Sequence, residues 1–128
     1  MASNTLAYWY QLQGASYSSL NSTNFKVAVV DDDSSGLTSS QINTLESQGK
    51  MVFSYLSVGQ AEPWRSYWNP NASYILGQDP LWGSYFVKFW DPTWQNLVIS
   101  RAVGMAKEGY GGIVLDVVDV TTPERILP

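Results

Sequence analysis

Three apolar runs in this chain end in the same way. "FKVAVVDDD" (Phe25 to Asp33), "MVFSYLSVGQAE" (Met51 to Glu62) and "GIVLDVVD" (Gly112 to Asp119) begin with β-branched or aromatic residues and give way to carboxylates or polar groups. Short continuous apolar runs of this kind are expected of strands buried on both faces of a parallel sheet. Helical spacing lies between them. "SSGLTSSQINTLESQGK" offers Ser39 or Ser40 as a cap, turns Ile42 and Leu45 inward, and stops at Gly49. "DPTWQNLVISRAVGMAKEGYGG" offers Asp91 as N-cap and Pro92 as first helical residue. Trp94, Leu97, Val98, Arg101 and Met105 follow at helical spacing, and Gly109 ends the segment.

"LAYWYQLQG" (Leu6 to Gly14) adds a fourth expected strand, so the pattern is α/β with a parallel sheet, in one domain over residues 1–128. "ASYSSLNSTN" reads as a polar connection, and "SYFVKFW" as a short extended segment. Gln60 to Trp82 reads as a long loop with a short helix around Ser73 to Leu76. A loop of that length in a compact domain usually has a function. In a parallel sheet all C-terminal strand ends share one edge, which is where (β/α) barrels do chemistry. Asp31, Glu62, Asp116 and Asp119 are therefore expected to converge.

Composition narrows the chemistry. The 128 residues contain no Cys and no His, which removes disulfides, thiol nucleophiles, Ser-His-Asp triads and the common zinc sites. A net charge of −4 and a pI near 4.5 give no basic stripe, so nucleic acid is not an expected partner. The apolar runs are too short to span a bilayer. "MASNTLAYWY" shows neither the basic nor the apolar region of a signal peptide. Low charge and sequons at Asn21 and Asn71 suit an extracellular protein. The stop after Pro128 reads as a truncation. No cofactor is implied, and "DDDSSG" lacks the distal Glu of a calcium loop, so no metal is expected.

The candidate site residues each carry two readings. By alternation, Asp116 shares a face with Val114 and Val118. An ionised Asp at the end of a buried strand is costly unless paired, bonded or functional. It is a catalytic carboxylate, or it caps a loop or pairs with Arg65. Asp31 lies on the face of Val27 and Val29, while Asp32 and Asp33 read as a solvated turn before Gly36. Asp119 lies on the rim, orienting substrate or forming an Asx turn. Arg65 either holds a carboxylate or stacks beneath Trp64 or Trp68, and the first is preferred. The 6 Trp and 8 Tyr form either a core or flat platforms for a sugar, with Trp64, Tyr67 and Trp68 as the candidates. Two facing carboxylates across a sugar perform glycoside hydrolysis, and their separation decides retention or inversion.

"YWYQLQG", "VAVVDDD", "YLSVGQAEPWRSYW", "YFVKFWDPTWQ" and "GYGGIVLDVVD" together resemble glycoside hydrolase family 114, the endo-α-1,4-polygalactosaminidases and related barrel proteins. The blocks keep the family's order over nearly the whole chain. The resemblance implies a (β/α)8 barrel that cuts an α-1,4-linked galactosamine-containing polysaccharide. It implies that Asp116 is one of two catalytic carboxylates, and that Asp31, Glu62, Arg65 and nearby aromatics line the cleft. Two departures stand out. The family usually has Glu where this chain has Gln60, which weakens recognition of an ammonium. A barrel takes about 200 residues or more, and this chain holds about four strands, so the second carboxylate, a Glu, is missing. The expectation is a partial barrel that is a fragment, a half completed by a second copy of itself, or a relative that binds sugar without cutting it.

Overall fold

The computed structural model describes residues 5–118, so Asp119 lies outside the described residues. Along the chain run β1 (Leu6–Gln11), α1 (Tyr17–Ser22), β2 (Phe25–Val30), α2 (Asp32–Ser35), α3 (Ser39–Ser47), β3 (Met51–Ser57), β4 (Gln60–Ala61), β5 (Ile75–Gln78), β6 (Tyr85–Val87), α4 (Pro92–Glu108) and β7 (Gly112–Asp116). The expected apolar runs pair side by side in one four-stranded sheet, in the order β1-β2-β3-β7. Registers are parallel: Tyr8 faces Val27, and Val27 faces Met51. The Gly111 N–H donates to the Val52 carbonyl at 2.9 Å and brings the start of β7 to β3. The fold is α/β of the (β/α)-barrel type, with four parallel strands of it present.

The described residues divide into two compact units: 5–56 with 102–114, and 57–101 with 115–118. In the first, Leu20, Val29, Val30, Ile42, Leu45 and Val52 are almost fully buried. Each such side chain contributes about 1.5–3 kcal/mol on burial. Ile42 and Leu45 face inward as expected, but Thr38, not Ser39 or Ser40, caps α3. The Thr38 hydroxyl accepts the Gln41 N–H at 3.1 Å, and the Gln41 side chain accepts the Thr38 N–H at 3.0 Å. The polar connection after β1 contains α1, which has the same device in Ser16 and Ser19. Reciprocal caps of this kind satisfy two orphan donors and let a very short helix persist. Lys50 is buried beneath it, and its Nζ donates to the carbonyls of Leu20 at 2.9 Å and Asn21 at 3.0 Å.

In the second unit the expected long loop, Gln60 to Trp82, carries β4 and β5, and these pair with β6, which lies in the segment expected to be extended, in a small antiparallel sheet of order β4-β6-β5. Gln60 faces Phe86, Ala61 faces Tyr85, and a bulge interrupts β5 between Ile75 and Gln78. The short helix expected around Ser73 to Leu76 is absent, because Ile75 opens a strand there. Ala61, Tyr74, Val87 and Trp94 form this unit's core, with Trp68, Leu97 and Val98 packed on it. The indole N–H of Trp94 donates to the Val58 carbonyl at 2.9 Å, so the ring's one polar group is satisfied. Asp91 caps α4 as expected, accepting the Thr93 N–H and the Ser73 hydroxyl, each at 2.8 Å. These hydrogen bonds, that from Ser73 first, hold its carboxyl below the usual range.

Candidate active-site residues

Asp31 belongs to the first unit. It ends β2, is buried, and caps the single turn of α2 by accepting the N–H of Asp33 at 3.1 Å and of Ser34 at 3.4 Å. Asp32 and Asp33 form a turn before Gly36 as expected, but a helical one: Asp33 is exposed, Asp32 is half-buried, and the turn closes on Gly36 in the left-handed region at φ 61°. Asp32 accepts the Tyr110 hydroxyl at 2.6 Å, a pairing across 78 residues that no local pattern announces. Glu108 adjoins it. Burial, then hydrogen bonding to Asp32 and the charges of Asp32 and Asp33, push the Glu108 carboxyl up to about 7. Burial and the same Asp32 hold the Tyr110 phenol far above its usual range.

Gln60, Glu62, Trp64, Arg65, Tyr67, Trp68 and Asp116 belong to the second unit. The preferred reading of Arg65 holds: its Nε donates to Glu62 Oε1 at 3.0 Å, with both side chains largely buried. Removing one partner of such a pair would leave an uncompensated buried charge. The Arg65 N–H also donates to the Glu62 carbonyl at 3.1 Å, so the turn and the ion pair fix each other. Tyr67 supports the same turn, its hydroxyl accepting the Glu62 N–H at 3.0 Å. Its ring lies edge-on to Trp94, at 5.9 Å between centroids, and 5.2 Å from the Arg101 guanidinium. Burial pushes its phenol up to about 12. Trp68 packs on Tyr85 at 4.8 Å. Of the three proposed platforms, Trp64 has the open ring, being 61% exposed.

Gln60 is buried in a polar cluster that the sequence reading missed. Its Nε2 donates to Asp79 Oδ2 at 3.1 Å, and its Oε1 accepts the Ser84 hydroxyl. The Gln60 backbone carbonyl accepts the Ser57 hydroxyl at 3.1 Å. Asp79 and Ser84 gave no signal because both sit in short segments without periodicity.

Asp116 is exposed, which corrects the expectation of a strand end buried on both faces: Leu115 beside it is 56% exposed. Its backbone carbonyl accepts the Val58 N–H at 3.0 Å. The next residue, Val117, has φ 58°. A β-branched residue in the left-handed region is strained by about 1–3 kcal/mol, and such strain concentrates at functional sites. The strand stops there, so its alternation does not extend regularly from Asp116 to Val118. Among the described residues no group of three or more Asp, Glu, His or Cys side chains could hold a metal ion.

The sequence profile of glycoside-hydrolase family GH114 matches residues 2–125. The chain belongs to that family. An uncharacterized protein of Methanocaldococcus jannaschii is 35% identical over 130 residues, and one of Thermotoga maritima 36% over 121 residues. The alignments cover 91% and 86% of this chain but 38% of each relative, so the chain spans well under half their length. Among solved structures, the glycoside hydrolase domain of PelA from Pseudomonas aeruginosa superposes with a TM-score of 0.65 at 26% identity, covering 91% of this chain and 45% of that one. Aspergillus fumigatus Ega3, solved in complex with galactosamine, gives a TM-score of 0.71 at 20% identity, covering 95% and 48%, a likeness of fold. No helix among the described residues is long and apolar enough to cross a membrane.

Proposed function

We propose that this chain carries one part of a glycoside hydrolase site for endo-cleavage of an α-1,4-linked galactosamine-containing polysaccharide outside the cell. The observation that carries the reading is Asp116: an exposed carboxylate at the end of a parallel strand, followed at once by the strained Val117, in a GH114 chain. Asp116 acts as one catalytic carboxylate, as proton donor or as nucleophile or base. Asp31, Gln60, Glu62, Arg65, Trp64, Tyr67, Trp68 and Asp119 line or support the cleft. Within this division Trp64 stacks on sugar, while Tyr67 and Arg65 hold Glu62. Galactosamine bound to Ega3 supports the choice of sugar. The second carboxylate comes from outside these residues, and a second copy of the chain closing the sheet into a barrel is one source.

Release of reducing ends from a deacetylated α-1,4-galactosaminoglycan tests this, with Asp116→Asn alongside. Cleavage by the wild type and none by the variant is the expected result. Activity that survives Asp116→Asn removes Asp116 from the reaction. A second reading, sugar binding without cleavage, draws on Gln60, an amide that cannot titrate, two residues before Glu62. Micromolar oligosaccharide affinity without turnover would favour it.

A further inference from the structure

The hairpin tip between β5 and β6 displays apolar side chains on a frame held by buried polar groups. Leu81 and Trp82 are 76% and 71% exposed. Directly beneath them Asp79 is buried, with Oδ1 accepting the Leu81 N–H at 2.9 Å and Oδ2 accepting the Gln60 amide at 3.1 Å. The Asp79 N–H donates to the Ser84 carbonyl at 2.7 Å, and its carbonyl accepts the Gly83 N–H at 2.9 Å. Gly83 supplies the left-handed conformation, φ 76°, that closes the turn. Both carboxylate oxygens and both backbone groups of Asp79 thus fix the conformation of the hairpin tip.

A buried carboxylate is retained at a cost. Here what it orders is the backbone of a turn whose exposed indole is not among the residues packed on the core of Ala61, Tyr74, Val87 and Trp94. A ring presented from a backbone that is fixed before binding leaves only its own side-chain torsions to be ordered, and that suits an anchor. Its flat, uncharged face matches the C–H face of a pyranose. The frame also ties the tip to the candidate site, because Gln60 lies two residues from Glu62 on the same chain segment.

We propose that Trp82, with Leu81 beside it, is an outer sugar platform that stacks on a pyranose unit of the polysaccharide beyond those held near Glu62 and Trp64. This rests on the polysaccharide reading above. Titration calorimetry in an Asp116→Asn background, where no oligomer is cut, tests it with an α-1,4-linked galactosamine hexamer and the matching disaccharide. Trp82→Ala should weaken the hexamer about tenfold and leave the disaccharide affinity and the urea midpoint unchanged. Trp82→Phe should recover most of the loss. Hexamer binding unaffected by Trp82→Ala, while the parent binds it, overturns the platform alone. So does a dimer that Trp82→Ala disrupts without changing hexamer affinity, which would make the tip a protein contact. A parent that binds neither sugar overturns the polysaccharide reading, and the platform falls with it.

Discussion

Gln60→Glu would place a carboxylate against the buried Asp79 in a nearly unchanged shape. The present contact is a neutral amide donating to a carboxylate at 3.1 Å. Two charges at that distance repel by about 5 kcal/mol at an effective dielectric of about 20. Keeping the introduced carboxyl protonated at pH 7 instead costs about 3.7 kcal/mol, from a reference pKa of about 4.3 at 1.36 kcal/mol per unit. The smaller cost wins, so the variant holds a proton, and its O–H replaces the amide donor to Asp79. The sign follows. A folded pKa raised above the unfolded value gives stability that is present below about 4.3 and is lost as pH rises through the folded pKa. Relative to the wild type, the variant should be nearly as stable at pH 4 and about 3–4 kcal/mol less stable at pH 7. Urea unfolding at the two pH values measures this, and adding Asp79→Asn should remove the pH dependence. An equal loss at both pH values would refute the contact on which the estimate rests.

Three other outcomes are expected. Val117→Gly should raise stability by about 1 kcal/mol, as left-handed strain is relieved against glycine's own entropy; a lower melting temperature would contradict that strain. Lys50→Met should cost about 2 kcal/mol by leaving the Leu20 and Asn21 carbonyls without their donor, and an unchanged urea midpoint would show that water replaces the amine. Because burial and Asp32 raise Glu108 to about 7, the folded state binds the extra proton. The stability it contributes is present below about pH 4.5 and fades towards pH 7, so Glu108→Gln should flatten stability across that window.

Much of the sheet was legible because β2 and β3 are covered on both faces and their sequences record it as unbroken apolar runs. α4 was legible from Asp91-Pro92 and its periodic apolar face. α1 was not, since its six residues hold one buried side chain, Leu20, and its stability comes from a Ser16–Ser19 cap. β6 was read as an extended segment, but β4 and β5 and the sheet they make with it escaped, because strands of two and four residues are too short for alternation to show. For the site, Arg65 was readable as the holder of a carboxylate, but not which one: the tight turn that makes it Glu62, three residues before, has no sequence signal that sets it apart from Asp116. The partners of Gln60 were not readable, because Asp79 and Ser84 are brought to it by hairpin pairing over 19 and 24 residues. Asp116 was correctly placed at a strand end, but alternation reports which way a residue turns and not what covers it.

The amine of Lys50 has a practical use. The chain's other lysines are Lys26, Lys88 and Lys107, none of them buried, whereas Lys50 is enclosed under α1. An acylating reagent should therefore modify it only when α1 lifts away from the strand behind it. Its labelling rate, read by mass spectrometry, becomes a built-in clock for the opening of that one helix.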